Sequence, residues 1–331
     1  MRAPYFWSGK IDPQSREAAP VLRALLTPLA ALSSGITARR LRSVVPTELN
    51  IPVICVGNLT VGGSGKTPLV ETIRERLTSH GLRAASLSRG HGGRFIGPHR
   101  VDADAHSAAD VGDEPLLLAM TGEAWISRDR AIGGDAMEAE GVDIIVMDDG
   151  HQNPQLRKDL SIVVIDTDDP IGNGYVIPKG PLREPAAKGL KRADAVLLTG
   201  DGECPPWLEN AEMPVLKTRL KHITPLPTGP LIAFAGIGKP EKFFAILEKE
   251  GAVLGDTVCY GDHHVYSNRE MTFLHNLASD HGARLVTTEK DFVRLSKEHH
   301  SNVQPIKVKA SFENEAELDD LLYPLIDRVI A

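Results

Sequence analysis

The chain has few cysteines, and their spacing excludes a disulfide scaffold or a zinc site. Only three cysteines occur in 331 residues, Cys55, Cys204 and Cys259, and none has a partner at the short spacings typical of such sites. A reducing cytoplasm is therefore expected. Cys55 and Cys259 lie in apolar, strand-like runs, so we interpret both as small buried hydrophobic residues without a chemical role.

The sequence also lacks a positive net charge and a clean membrane-spanning run. Its formal net charge of -7 argues against duplex nucleic acid as the main partner, because such proteins present a positive field to phosphates. Residues 20–42 are apolar, but Arg23, Pro28 and Gly35 interrupt them before about 18 clean residues accumulate. We therefore expect no transmembrane span. No signal-peptide pattern is evident at the first residues, which predicts a protein that stays in the cytoplasm.

The N-terminal arm, residues 1–48, is apolar and basic. Between residues 1 and 42, seven basic residues stand against two acidic ones. Such a helix could lie on an anionic membrane surface, or it could pack on the core of the protein itself, and the pattern does not separate these alternatives. Leucines recur at helical spacing and a basic cluster follows them: Leu22, Leu25, Leu26, Leu29 and Leu32, then Arg39, Arg40 and Arg42.

The remaining chain reads as two α/β domains, since 331 residues exceed the size at which one core usually keeps growing. In residues 49–200, unbroken apolar runs alternate with helical segments, which predicts a parallel sheet with helices on both faces. Residues 201–230 contain six prolines and, apart from the strand-like MPVLKTRLK, little periodicity. We interpret them as a linker. The strand-helix alternation returns in residues 231–331, which predicts a smaller C-terminal α/β domain.

The strongest motif is VICVGNLTVGGSGKTP, residues 53–68, in which an apolar strand leads into a glycine-rich loop and a Lys-Thr pair. Glycines let consecutive N–H groups turn toward phosphate oxygens, Lys66 adds a positive charge, and Thr67 offers a hydroxyl to Mg²⁺. The helix that begins there directs its positive dipole end at the anion. The predicted nucleotide-binding residues are Thr60, Val61, Gly62, Gly63, Ser64, Gly65, Lys66 and Thr67.

This loop departs from the general GxxxxGK[ST] pattern, because Thr60 stands where the first glycine is usual. The pattern is satisfied only from Gly65 onward. A glycine-rich turn that binds nothing is the alternative, but the strand before the loop and the helix after it favour phosphate binding.

A second phosphate-site element is DIIVMDDG, in which Asp148 and Asp149 end an apolar strand. The carboxyl ends of neighbouring parallel strands open into one crevice, so a carboxylate here can hold Mg²⁺ beside the phosphate loop. An ordinary Asp-Asp-Gly turn is the alternative. Downstream of a phosphate loop we favour the metal site.

Together these motifs resemble the tetraacyldisaccharide 4'-kinase family. GNLTVGGSGKTP, SRG, VGDEP, DDGHQ, PKGPLREP, FAGIGKP, GDHH and TEKD occur in the family's order across nearly the whole chain. The loop of that family resembles [ST]xGGxGKT, so the Thr60 that breaks the general pattern is typical of it.

The resemblance implies a P-loop NTPase-like fold and an ATP- and Mg²⁺-dependent kinase of lipid A biosynthesis. Its acceptor would be the 4'-hydroxyl of an acylated glucosamine disaccharide 1-phosphate, and its product lipid IVA. The resemblance also implies a peripheral enzyme on the cytoplasmic face of the bacterial inner membrane, bound to the membrane surface through the N-terminal arm. No nucleic-acid partner is expected.

The acceptor hydroxyl needs a proton acceptor, for which the resemblance points to Asp113 in VGDEP and His263 in GDHH. Asp113 would take the proton and His263, from the second domain, would orient or polarise it. The alternative for Asp113 is a helix cap or first-turn acid. His264 is less suited, because consecutive side chains of an extended segment face opposite ways.

Other candidate contacts come from the basic and acidic residues of the same motifs. Glu184 in PLREP is a candidate for Mg²⁺ or its bound water, although a rigid turn between two prolines is an adequate alternative. For single arginines the alternative is a solvated surface side chain. The candidates for the substrate's 1-phosphate or the nucleotide phosphates are Arg89, Arg128, Arg130 and Arg183.

Two other classes of protein share parts of this pattern. A P-loop NTPase that acts as a maturation or metal-insertion switch needs the same phosphate elements, but it should show a Cys/His cluster or an NKxD motif. The sequence has neither, and TEKD differs from NKxD in its spacing, so adenine is the expected base. A non-catalytic membrane scaffold could lose Lys66, which this chain retains.

Overall fold

The structure is a computed structural model that describes residues 3–62 and 65–331. Two positions of the expected nucleotide site, Gly63 and Ser64, lie outside the described residues.

The elements follow the expected alternation of strands and helices. Those of the first part of the chain are α1 (Pro20–Ser43), β1 (Val53–Asn58), α2 (Lys66–Ser79), β2 (Ala84–Ser88), β3 (His99–Arg100), α3 (Ala108–Val111), α4 (Asp113–Thr121), β4 (Ala124–Ile126), α5 (Arg130–Ala139), β5 (Ile144–Asp148), β6 (Leu160–Asp166), α6 (Ala186–Leu190), β7 (Ala195–Thr199) and β8 (Val215–His222). They are followed by β9 (Pro230–Ala235), α7 (Pro240–Lys249), β10 (Val253–Cys259), α8 (Asn268–Asp280), β11 (Arg284–Thr288), α9 (Glu289–Phe292), β12 (Val303–Ile306), β13 (Val308–Phe312) and α10 (Glu315–Ile330).

A nine-stranded sheet forms the larger part, in the order β13-β8-β7-β6-β1-β5-β2-β4-β3. Its strands run parallel except β13 and β3, which lie at the two edges. The central strands β1, β5 and β7 are buried at every position, because apolar clusters cover both faces of the sheet. The predicted parallel sheet is confirmed, and β1 and β5, which carry the two phosphate motifs, are neighbours in it.

A second sheet of four strands has the order β10-β9-β11-β12, and all its strands are parallel. Helices α7 and α8 pack on it through separate apolar clusters, one that contains Phe243 and Leu247 and one that contains Met271 and Leu274. This part corresponds to the smaller α/β domain expected from residue 231 onward.

The course of the chain between and after these sheets differs from the expected boundaries. The segment 201–230, expected as a linker, contains β8, which pairs with β7 inside the large sheet. The chain also returns to that sheet at its end, where β13 pairs with β8 and Leu318 and Leu322 of α10 join the core beneath it. Local sequence patterns do not encode such a return, because strand pairing over this separation is decided by the fit of distant surfaces.

Helix α1 lies on the outside of the protein, with only Ala30 buried. The segment Arg16–Ser43 is long and apolar enough to cross a membrane by length and composition, although we expected Arg23, Pro28 and Gly35 to prevent this. The alternative of packing on the core is wrong for most of the apolar stripe. Leu26 is partly buried, but the other four leucines and the neighbouring Ile36 are exposed: Leu22, Leu25, Leu29, Leu32 and Ile36.

The cysteines divide between core and surface. Cys55 is fully buried in β1, as expected. Cys259 is exposed, so its interpretation as a buried residue is wrong, since it ends β10 at an edge of the smaller sheet.

Candidate functional site

The phosphate loop, residues 60–67, connects the end of β1 to the start of α2. Gly62 and Gly65 adopt φ values of 119° and 77°, in the left-handed region that favours glycine. Gly65 caps α2, so the helix begins at Lys66 and presents its positive end to the loop. Thr60 pairs with Leu182, and Val61 donates its N–H to Pro181 O at 2.8 Å. The described part of the loop is therefore held in place by the segment 178–185.

The side chain of Lys66 contacts Asp149, the residue that follows β5. Its side chain is largely buried, and Nζ lies 3.6 Å from Oδ1 of Asp149. Nη1 of Arg183 lies 2.9 Å from both oxygens of the same carboxylate, and its Nε donates to Thr60 O at 3.1 Å. Burial by itself raises the pKa of Asp149, but the charges of Lys66 and Arg183 hold this pKa below its ordinary value. Asp149 is thus ionised and binds two cations.

Asp148, the residue before Asp149, is in a different state. It is 2% exposed, and neither side-chain oxygen has a hydrogen-bond partner among the described residues. Burial, together with the charge of nearby Glu114, raises the pKa of Asp148 above its ordinary range. A buried anion left in this state is costly unless a cation compensates it. Asp148 ends β5, and Thr67, the other expected Mg²⁺ ligand of this region, is buried in the first turn of α2.

The described residues contain no group of three or more His, Cys, Asp or Glu side chains arranged to hold a metal ion. Mg²⁺ beside a phosphate loop does not need such a cage, because it is bound by one or two protein oxygens and otherwise by phosphate and water. The unsatisfied oxygens of Asp148 fit this kind of site.

Glu184, the other expected metal ligand, has different partners. Its carboxylate is 3% exposed and bound by Arg192, with Nη2 2.6 Å from Oε1 and Nη1 2.9 Å from Oε2. Gln152 also donates to Oε1 at 3.1 Å, and its Nε2 reaches Asn58 O at the end of β1. Because both oxygens of Glu184 already accept hydrogen bonds, the expected role as a metal ligand does not fit. We propose instead that Glu184 stabilises the fold.

The candidate arginines differ in burial. Arg89 and Arg128 are exposed. Arg130, at the start of α5, is 3% exposed and donates from Nη1 to Ser127 O, while its Nε has no hydrogen-bond partner in the described chain. Burial lowers the pKa of Arg130 to about 10. The Nε of Arg130 is therefore unsatisfied, as are the two carboxylate oxygens of Asp148 at this end of the sheet.

Asp113 and His263 meet across the two sheets. His263 Nδ1 lies 2.9 Å from Asp113 Oδ2, and because a carboxylate only accepts, Nδ1 carries the proton and donates it. His263 takes a φ of 57°, an unusual conformation for a non-glycine residue, and its N–H donates to Gly236 O. The His263 side chain is 45% exposed, whereas that of Asp113 is 7% exposed. His264 instead binds Glu270.

Arg294 is a site residue that the sequence did not reveal. Its Nε and Nη2 donate to Asp113 Oδ2, and its Nη1 donates to Gly236 O and to Oδ1 of Asp291. Burial alone raises the pKa of Asp113, but the hydrogen bond from His263 and the charge of Arg294 hold this pKa well below its ordinary value. No local motif marks Arg294. Its only available signal is its position three residues after Asp291 of TEKD.

TEKD itself has a structural explanation. Thr288 caps α9 by accepting from Asp291 N. Lys290 Nζ lies 2.5 Å from Oε1 of Glu114, the residue after Asp113. Asp291 is fully buried and accepts from Gly236 N and from the hydroxyl of Tyr266. The contacts of this motif therefore connect the smaller sheet to the start of α4. They explain the motif without a role in nucleobase recognition.

Known proteins resemble this chain along most of its length. The sequence profile of a family described as tetraacyldisaccharide-1-P 4'-kinase matches residues 22–327. The chain is 55% identical over 328 residues to the tetraacyldisaccharide 4'-kinase of Hyphomonas neptunium, covering 99% of each chain. It is 49% identical over 334 residues to the enzyme of the same name from Maricaulis maris, covering 99% of this chain and 97% of that one.

A solved structure is similar along almost the same extent. LpxK from Aquifex aeolicus, in complex with ATP, superposes with a TM-score of 0.76 at 29% identity. The match covers 92% of this chain and 99% of that protein.

Proposed function

Because the chain belongs to the tetraacyldisaccharide-1-P 4'-kinase family, it is a kinase of lipid A biosynthesis, and we propose how its residues perform the transfer. The phosphoryl group of ATP goes to the 4'-hydroxyl of a tetraacyldisaccharide 1-phosphate, and the product is lipid IVA. The observation that carries the proposal is the contact of Asp113 with His263 at the same end of the fold as the phosphate loop.

Residues 60–67 bind the phosphates of ATP. The left-handed glycines and the positive end of α2 supply N–H groups and a favourable dipole. Lys66 is held by Asp149 until the nucleotide offers it phosphate oxygens. Arg183 shares that carboxylate, so both cations are positioned to contact phosphate without further rearrangement of the backbone.

Thr67 and Asp148 hold Mg²⁺, which when bound neutralises charge on the phosphates. Support comes from the unsatisfied, buried oxygens of Asp148, whose desolvation cost a bound cation would offset. Asp149 contributes indirectly, because it is bound to Lys66 and Arg183.

Asp113 and His263 act as one unit that takes the proton of the acceptor hydroxyl. Asp113 fixes the imidazole through Nδ1, which leaves Nε2 of this half-exposed side chain available to the acceptor hydroxyl. Because the two groups are strongly coupled, the proton belongs to the pair rather than to either residue. Asp113 begins α4 and His263 follows β10 of the smaller sheet, so a substrate that contacts this pair is enclosed by both parts of the protein, which limits hydrolysis of ATP by water.

Helix α1 places the enzyme on the membrane as a peripheral protein, on the cytoplasmic face of the inner membrane. Its exposed apolar stripe supports this proposal, as do the basic residues Arg40 and Arg42 in its last turn. Leu29 and Leu32 of the stripe also line an open, mainly apolar groove of ≈ 350 Å³, together with Ser33, Ile36, Thr37 and Pro178. Acyl chains of a lipid substrate fit such a lining.

One assay tests the reaction and the nucleotide site together. Purified protein is incubated with labelled ATP, Mg²⁺ and tetraacyldisaccharide 1-phosphate, beside a protein-free blank. A bisphosphorylated lipid is expected, and Lys66→Ala should lower kcat/KM by at least about 10²-fold because it removes a charge from the transferring phosphates. Hydrolysis of ATP without lipid product would instead favour an NTPase switch. Unchanged turnover in folded Lys66→Ala would contradict the assigned site.

A further inference from the structure

Two positively charged side chains, Arg23 and Lys179, contact the ring of Tyr175 near the N-terminal end of α1. Nζ of Lys179 lies 3.9 Å from the ring centroid of Tyr175, and Cζ of Arg23 lies 5.0 Å from the same centroid. Lys179 Nζ also donates to Oγ1 of Thr27 at 3.0 Å, and that hydroxyl donates to the carbonyl of Arg23. Loop 175–182 and helix α1 therefore hold the two charges close together.

Neither charge is compensated within the described parts of the chain. Lys179 and Arg23 contact the ring and a hydroxyl, and no carboxylate forms an ion pair with either of them. Nε of Arg23 is buried and has no hydrogen-bond partner among those residues. Two like charges held this close repel one another, and the aromatic ring offsets only part of that cost. An anion would satisfy both groups.

The cluster lies between the apolar groove and the phosphate loop. Pro178, next to Lys179, lines the groove along α1. On the other side, Leu182 donates its N–H to Tyr175 O and pairs with Thr60 of the phosphate loop. Two strand spacings of about 4.8 Å each therefore separate Tyr175 from the phosphate loop.

We propose that Arg23 and Lys179 form a binding site for a phosphate monoester, the 1-phosphate at the reducing end of the lipid substrate. Tyr175 holds both cations in position, and the acyl chains run from the sugar into the groove beside α1. The inference rests on the proposed function, because it assigns one end of the substrate once the 4'-hydroxyl is placed beside Asp113. Its consequence is specificity: these residues distinguish a 1-phosphorylated acceptor from one without that group.

The test compares two acceptors in detergent mixed micelles, the tetraacyldisaccharide 1-phosphate and the same disaccharide without its 1-phosphate. In the unmodified enzyme, KM is expected to be lower for the phosphorylated acceptor. Lys179→Gln and Arg23→Gln should each raise this KM about 10-fold or more, the effect of one charge-assisted hydrogen bond. KM for the acceptor without phosphate, KM for ATP and kcat should stay the same. Lys179→Arg keeps the charge and should retain most of the discrimination.

Lys188→Gln is the matched control, since it removes one exposed positive charge from α6 without touching Tyr175. Its KM values should equal those of the unmodified enzyme. Equal increases for both acceptors in Lys179→Gln would mean that the cations bind lipid headgroups at the interface, and would overturn the proposal. No change for either acceptor would do the same. If the unmodified enzyme phosphorylates neither lipid, the failure belongs to the proposed function instead.

Discussion

Arg294 and Asp113 form a buried ion pair that joins the two sheets. The Arg294 side chain is 5% exposed and that of Asp113 is 7% exposed, and two guanidinium nitrogens of Arg294 donate to the oxygen that also accepts from His263. Arg294 is in turn held by Asp291. The proposed proton acceptor thus depends on a residue that contacts neither the phosphate loop nor Asp148 among the described contacts.

The first prediction concerns the charge of Arg294. Its positive charge lowers the pKa of Asp113 and the pKa of His263, so Arg294→Gln should raise both. The pair then accepts a proton only at higher pH, and the acidic limb of kcat should move upward by about one pH unit. Lys290, Glu114 and Asp262 also face this pair, and the variant leaves them unchanged.

Arg294→Lys is the matched control, because it keeps the charge but not the planar donors. Its acidic limb should stay close to that of the unmodified enzyme, although its rate falls. Thermal unfolding checks that both variants fold, since breaking a buried pair can cost about 3–5 kcal/mol. A uniform loss of rate at all pH values in Arg294→Gln would show that Arg294 only supports the fold.

The second prediction tests whether Asp113 and His263 work as a unit. Asp113→Ala and His263→Ala should each lower kcat by about 10²–10⁴-fold, with smaller changes in KM. The double variant should be little slower than Asp113→Ala, because removing one partner already disables the pair. All rates are measured at saturating ATP and lipid. Multiplicative losses would rule out the coupled pair and leave the kinase assignment intact.

The third prediction distinguishes the proposed Mg²⁺ ligand, Asp148, from Glu184, for which we propose a structural role. Asp148→Asn should raise the Mg²⁺ concentration needed for half-maximal activity about 10-fold or more, because the charge facing the cation is lost. Glu184→Gln should leave that concentration unchanged and lower Tm, since Arg192 loses its charged partner. A Mg²⁺ titration and a melting curve of each variant decide this. The opposite pattern would return Glu184 to the metal site.

The fourth prediction concerns membrane binding by α1. Replacing Leu25, Leu29 and Leu32 with Gln should reduce co-sedimentation with anionic vesicles, because three exposed apolar side chains are lost from one stripe. Ala24→Gln with Ala31→Gln alters exposed positions of the same helix away from this stripe. That control should bind vesicles normally. Equal binding of all three proteins would count against the membrane-facing helix.

Sequence motifs alone located the phosphate loop and the DDG turn, because each is a contiguous segment whose chemistry depends on its neighbours along the chain. Hydrophobic runs without alternation also predicted buried parallel strands, which the central strands confirm. The spacing of the leucines predicted the apolar stripe of α1. It did not predict whether this stripe faces the core or the outside of the protein.

The tertiary structure alone decided which distant groups meet. The return of β13 and α10 to the large sheet, the pairing of Glu184 with Arg192, and the contact of Arg294 with Asp113 all join residues whose local sequence carries no mark of the partner. Such contacts depend on how separate surfaces pack, and burial then sets the charge state of each group. For the same reason the sequence predicted the same metal role for Asp148 and Asp149. In the folded protein Asp149 binds Lys66 and Arg183, whereas the oxygens of Asp148 have no hydrogen-bond partner among the described residues.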